Sequence, residues 1–200
     1  MKTTVVIATF NRHKARELLA LLHGLPLEIK LLSDFPGAAG VVEDGKTIEE
    51  NAVKKARAAA AFSGCWALAD DTGLEVDALD GEPGVRSARY AGEACSYADN
   101  NARLLGKMVH IPEGERSARF VCVIALASPA GTVRVARGVL EGRITAEARG
   151  ADGFGYDPLF EVGESGQTLA EIPAAEKNTL SHRARALLAI WPELQLLGLK

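Results

Sequence analysis

Thr3-Thr4-Val5-Val6-Ile7-Ala8-Thr9 is a β-branched, apolar run, and from Arg12 to His23 the residues Ala15, Leu18, Leu19 and Leu22 recur at helical spacing. The first pattern predicts a buried strand, the second an amphipathic helix stopped near Gly24. A strand feeding directly into a helix is the opening unit of an α/β chain. Working outward, Leu27 to Leu32 predicts a second strand, and 35–45, with Pro36, Gly37, Gly40 and Gly45, predicts a loop. Thr47 with Glu50 has the capping-box pattern, ahead of an Ala- and Lys-rich helix over 51–62. Trp66 to Ala69 predicts a short strand ending at Asp70 and Asp71; 81–92, with Pro83, predicts loop. Ser96 caps a helix to Val109. Ala118 to Ala127 predicts a long buried strand that turns through Ser128-Pro129-Ala130-Gly131 into a partner from Val133 to Leu140. Gly150 to Pro158 is glycine-rich, and Ser181 to Ile190 predicts the last helix, stopped near Pro192. Early βα units followed by a hairpin give an α/β class with a mixed sheet.

The 200 residues carry 23 Lys+Arg against 26 Asp+Glu, a formal net charge of −3, with 48% apolar and 24% charged residues. That length suits one domain, or one domain with a lobe. The near-neutral balance excludes a polybasic nucleic-acid binder held by counterion release and gives no support to a membrane-surface protein. The opening apolar run meets Asn11, Arg12, His13 and Lys14 too soon for an export signal. No stretch approaches the roughly 18 apolar residues of a membrane span. Cys65, Cys95 and Cys122 are widely spaced and form no C-x-x-C pair, so reduced thiols in a cytoplasmic protein are expected.

Five clusters carry chemistry. Thr9-Phe10-Asn11-Arg12-His13-Lys14 lies at a strand-to-helix junction, where backbone N–H groups and a lysine can hold an anion, although Asn11 also reads simply as a helix cap. Glu50 to Ala56 places Lys54 and Lys55 on the capped helix, and Glu50 with Lys54 also fits a surface ion pair. Asp70-Asp71-Thr72-Gly73 sets two adjacent carboxylates at a strand end, the place where ligands bind in open α/β sheets. Such a pair needs a cation or donors to offset its repulsion, and one or two carboxylates suit Mg²⁺. Gly153-Phe154-Gly155-Tyr156-Asp157-Pro158 exposes backbone and offers two aromatic rings for stacking, or else a turn anchored by Phe154. Lys177 to Arg183, with His182, gathers donors near a helix start whose dipole prefers anions, so a bound anion would resolve the conflict.

Taken in order, Thr9/Asn11/Lys14, Glu50 to Ala56, Ala69 to Leu74, Gly81 to Tyr90, Gly153 to Pro158 and Glu176 to Arg183 resemble the motifs of the inosine triphosphate pyrophosphatase family, the dITP/XTP pyrophosphatases. Six motifs in family order span nearly the whole chain. The resemblance implies a hydrolase that splits deaminated purine nucleoside triphosphates (ITP, dITP, XTP) into monophosphate and pyrophosphate, clearing them from the nucleotide pool. It implies Mg²⁺ as cofactor, a homodimer, and one domain over 1–200 built as an elongated two-lobed mixed sheet with flanking helices and a nucleotide cleft.

The resemblance also assigns roles. Thr9, Phe10, Asn11, Arg12, His13 and Lys14 would line the triphosphate, and Lys55 would face it. Asp71 would be the catalytic acid, holding metal or activating water, with Asp70 beside it, and Thr72 would lie in the substrate loop. Phe154, Gly155, Tyr156 and Asp157 would hold base and sugar, Phe154 as the stacking ring. Lys177, His182 and Arg183 would contact the nucleotide, the last two reading the 6-oxo edge. The chain departs from the family pattern at Phe10, where glycine is common, and at Val42, where many members carry Glu, which leaves Glu43 as the candidate metal ligand. Ile48 and Arg86 replace a usual Phe and a frequent Tyr. A terminal-phosphate phosphatase and a non-catalytic nucleotide sensor remain as alternatives.

Overall fold

The opening run forms β1 (Thr4–Ile7) and, after Asn11, α1 (Arg12–Leu22) in the computed structural model, which describes residues 2–163 and 165–199. Next come β2 (Glu28–Leu31), α2 (Ile48–Ser63), β3 (Trp66–Val76), β4 (Pro83–Gly84) and α3 (Tyr97–Met108). The chain continues through β5 (Ser117–Ala127), β6 (Val133–Ile144), β7 (Phe160–Val162), β8 (Gln167–Thr168), α4 (Ala174–Leu180) and α5 (His182–Gly198). Among the described residues the strands form one eight-stranded sheet ordered β2-β1-β3-β5-β6-β7-β8, with β4 on β3. β1 runs parallel to β2 and to β3, Val5–Ile7 lying opposite Trp66–Leu68. β7 is antiparallel to β6 and β8, and β4 to β3. The chain is therefore α/β with a mixed sheet, as its patterning predicts.

It divides into two compact units, one of Met1–Asp71, Cys122–Gly138 and Arg183–Lys200, the other of Thr72–Val121 and Val139–His182. Unit one buries Ile7, Leu18, Leu22, Leu68, Ile124 and Leu194 in one core. Unit two has its own core around Leu74, Leu104, Met108, Phe120, Ile144 and Phe160.

β6 runs on to Ile144 and β4 falls within the span expected to be loop, and three further differences bear on the site and its supports. β3 does not stop at Ala69 but continues to Val76, so Asp70 and Asp71 are interior to a strand. Asp and Gly are poor strand formers in isolation, but burial and pairing override that preference. α5 runs past Pro192 to Gly198, because buried Ile190, Leu194 and Leu197 carry its apolar stripe beyond the proline. The carbonyl that proline leaves unserved in the preceding turn belongs to Leu188, which is 72% exposed. Thr47 does cap α2 through the Glu50 amide, but the Glu50 carboxylate reaches the Lys46 N–H at 2.6 Å, not the amide of Thr47.

Candidate active site

Successive residues of a strand point to opposite faces of the sheet. β3 therefore sends Asp70 and Asp71 into two different environments. Both lie just past the end of β1, whose pairing with β3 closes at Ile7 and Leu68, followed by the Ala8 N–H donating to the Leu68 carbonyl at 2.8 Å.

Asp70 is 1% exposed. Its Oδ2 accepts from Arg183 Nε at 3.1 Å and Nη2 at 3.0 Å, and lies 3.1 Å from Lys14 Nζ. Burial alone would push the Asp70 carboxyl up. Lys14, Arg183 and Lys55 outweigh it and hold its pKa far below the usual carboxylate range. Arg183 is itself 1% exposed and also pairs with Glu17 on α1. Burial opposes its charge, and the carboxylates, Asp70 foremost, raise its pKa all the same.

Asp71 sits in the opposite electrostatic balance. Its Oδ1 accepts from Lys55 Nζ at 2.8 Å, and Lys55 Nζ lies 3.4 Å from Glu43 Oε1. Burial is the largest influence and raises the Asp71 pKa; Glu43 adds to the rise, and Lys55 and Lys14 only partly counter it. Burial lowers the Lys55 pKa, but Asp71, Asp70 and Glu43 together raise it overall. One strand thus presents a firmly ionised carboxylate on one face and one that titrates more readily on the other.

At the start of α1, Asn11 Oδ1 accepts from the His13 amide at 2.9 Å and the Lys14 amide at 3.3 Å, and the Asn11 amide donates to Thr9 Oγ1 at 3.2 Å. The cap reading of Asn11 is the one the chain forms, and it occupies two amides that an anion would otherwise meet. α1 has no acidic residue in its first turn. Arg12 and His13 are exposed, and Phe10 is 49% exposed. Thr72 is half-buried within β3.

In unit two, Asp157 is 3% exposed and organises the glycine-rich turn. Its Oδ2 accepts from the Phe154 amide at 2.8 Å and from Lys177 Nζ at 2.6 Å. A Cβ on Gly153, which has φ +76°, would lie 2.1 Å from that same oxygen, so only glycine permits the turn. The half-buried Phe154 ring has Lys177 Nζ 5.0 Å from its centroid and the Tyr97 ring 6.0 Å away. Tyr156 is buried and donates its hydroxyl to the Ser87 carbonyl at 2.9 Å. Of the two aromatics expected to offer stacking surfaces, it is therefore a core residue. The Gly155 carbonyl accepts from Asn101 Nδ2 at 3.1 Å. Lys177 lies in the short α4, not at the start of the last helix, and His182 stacks on Phe120 at 4.7 Å.

Arg183 was expected at a purine edge; its Nε and Nη2 donate to Asp70 and its Nη1 to Glu17. Glu17 is the residue that sequence reasoning passed over, and its signal was present: it stands three positions after Lys14, hence on the same helical face. Asn101 gave no comparable signal, because only the folded turn brings Gly155 to it.

Among the described residues no three His, Cys, Asp or Glu side chains gather as a metal cage. Glu43 and Asp71 are two hard oxygen donors converging on a single ammonium. That set fits Mg²⁺, which typically uses one or two carboxylates and takes its remaining ligands from water and substrate phosphates.

An α/β chain with paired carboxylates, converging lysines and a glycine-built aromatic turn has the parts of a nucleotide-handling enzyme. The Ham1 family model matches residues 5–192, and the chain belongs to the Ham1 family. It is 52% identical over 198 residues to the dITP/XTP pyrophosphatase of Geobacter sulfurreducens, covering 99% of this chain and 100% of that protein. The dITP/XTP pyrophosphatase of Desulforamulus reducens is 51% identical over 92% of this chain and 91% of its own. A HAM1 protein from Coxiella burnetii superposes with TM-score 0.88 at 39% identity, over 97% of this chain and 99% of that one. The Staphylococcus aureus Ham1 protein gives TM-score 0.84 at 38% identity, over 96% and 98%. Among the described residues no helix is long and apolar enough to cross a membrane.

Proposed function

We propose that this chain hydrolyses deaminated purine nucleoside triphosphates, dITP, ITP and XTP, to the monophosphate and pyrophosphate. The observation that carries the reading is the division of labour across β3. Asp71, its pKa raised and its carboxylate beside Lys55 and Glu43, suits proton transfer from water. Asp70, deeply ionised, suits fixing Lys14 and Arg183 in place. The relatives named dITP/XTP pyrophosphatase at about half identity over nearly the whole chain support the substrate class.

In this reading water attacks the α-phosphorus and its proton passes to Asp71. An oxygen–phosphorus bond forms from water as the bond from the α-phosphorus to the bridging oxygen breaks, and pyrophosphate leaves with that oxygen. Glu43 and Asp71 would hold Mg²⁺, which neutralises phosphate oxygens and lowers the pKa of bound water. Lys14 and Lys55 would add positive charge along the phosphates, where positioning and charge stabilisation do most of the work. In unit two Phe154 offers a ring to the base, and Lys177 and His182 offer donors. A 6-oxo purine presents an acceptor where adenine presents a donor, and sites built on such pairing discriminate by about 10⁴ or more. A homodimer and a cytoplasmic location belong to the same reading on the strength of the family resemblance.

Incubation with dITP and Mg²⁺, with the products resolved by chromatography, tests it. The expected products are dIMP and pyrophosphate. dIDP with phosphate would mean a terminal phosphatase, and unchanged dITP a binding protein, and either result overturns the proposal.

A further inference from the structure

Glu43 lies in an irregular segment, 35–46, between β2 and α2, yet it reaches Lys55 beside Asp71. Its neighbour Val42 is 74% exposed, so packing of that side chain does not hold the segment. Two anchors do. At one end the Gly45 amide donates to Asn51 Oδ1 at 2.8 Å. A Cβ on Gly45 would fall 2.6 Å from that oxygen and 2.9 Å from Glu50 Cβ, so glycine is what lets the chain press against α2. The Lys46 amide meets Glu50 Oε2 at 2.6 Å, and Asp44 pairs with Lys54 at 2.5 Å. In the middle, the Phe10 ring lies beside the exposed Gly40, close enough that a Cβ there would be 3.7 Å from Cδ2 and 3.8 Å from Cε2.

We propose that Phe10 and Asn51 are positioning residues that clasp the 38–46 segment at Gly40 and Gly45 and so hold Glu43 beside Lys55 and Asp71. Neither contacts Asp71 in the hydrogen-bond or ion-pair network described above; each acts through the segment. Asn51 is 1% exposed and its Nδ2 makes no hydrogen bond among the described residues. A buried donor left unserved is costly, and the return is what Oδ1 does for Gly45. Phe10, half exposed beside a glycine, contributes little to the core. Its ring faces the segment at Gly40.

The inference rests on the reading of Glu43 and Asp71 as the cation-holding pair. It is tested on the full chain without nucleotide, by hydrogen exchange of the 38–46 amides and by calorimetric titration with Mg²⁺ alone, in Phe10→Ala, Phe10→Leu and Asn51→Ala. In Phe10→Ala exchange across the segment is expected to rise about tenfold or more, Mg²⁺ binding to weaken several-fold, and the melting temperature to stay near that of the parent. Phe10→Leu is expected to restore both readouts, because an apolar cover on Gly40 is all the clasp needs. Asn51→Ala is expected to free Gly45 and Lys46 for exchange. Unchanged exchange in Phe10→Ala, or raised exchange with unchanged Mg²⁺ affinity, overturns the proposal. Failure of the parent chain to release pyrophosphate from dITP would instead overturn the functional reading and leave the clasp standing on its exchange data.

Discussion

Asp70 and Asp71 are chemically identical neighbours that the strand pleat separates into opposite roles. Asp71→Asn keeps the shape of the side chain and removes its charge. Turnover is expected to fall by at least about 10²-fold, with the thermal melt preserved; near-parental rates would remove Asp71 from the mechanism. Because burial raises the Asp71 pKa, the acidic limb of the kcat/KM profile is expected above the ordinary aspartate value of about 3.9. Lys55 lowers that pKa, so Lys55→Met is expected to move the limb to higher pH as well as reduce the rate. A limb unmoved by the substitution would show that another group titrates. Asp70 behaves differently. Asp70→Asn leaves Arg183 and Lys14 without their shared carboxylate in a buried setting, at a cost of about 3–5 kcal/mol for breaking a buried pair. Denaturant midpoints at pH 7 measure it.

At the scale of elements, the sequence was most readable where local signals agreed. Asn11 and Ser96 cap helices as their positions predict, Ser96 with the reciprocal Asp99 bond. β3 was cut short because Asp70, Asp71 and Gly73 are of types that strands disfavour, and only the finished sheet compensates. α5 was cut short at Pro192 because a propensity argument stops at the proline and does not see the buried Leu194 and Leu197 that carry the helix on. Arg116 gave no signal at all. It is 7% exposed and donates to the carbonyls of Met108, Ile111, Ile144 and Thr145, joining the end of α3 to the end of β6. Arg116→Leu strands those acceptors and is expected to cost about 3 kcal/mol or more, read from chemical denaturation. Gly153→Ala forces a methyl group onto Asp157 Oδ2 and is expected to loosen the Phe154 turn, raising KM for dITP more than it lowers kcat. Equal effects on both constants would count against a binding role for that turn.

For the molecule as a whole, the family was legible because six modest motifs occur in one order, and order survives where any single motif is ambiguous. The wiring of the site was not legible. Sequence spacing shows that Arg183 and Asp70 are both present, but not that a strand and a helix more than a hundred positions apart bring them within 3.0 Å. That wiring sets the response to acid. Asp70 holds its proton far more weakly folded than unfolded, so its contribution is full above the unfolded value of about 3.9 and is lost as pH falls toward the folded one. Asp71, shifted upward, works in the opposite direction. The stability gap between the parent and Asp70→Asn is therefore expected to narrow below about pH 4; a gap that stays constant with pH would show that Asp70 binds its proton equally well folded and unfolded.

The alternation of β3 also has a genetic consequence. Two adjacent codons encode the same amino acid, yet lesions in them should give different kinds of allele. Loss of the charge at 70 should yield a protein that is made but does not persist, with a phenotype that worsens on warming and is relieved by raising expression. Loss of the charge at 71 should yield normal quantities of a silent protein, which no increase in expression rescues.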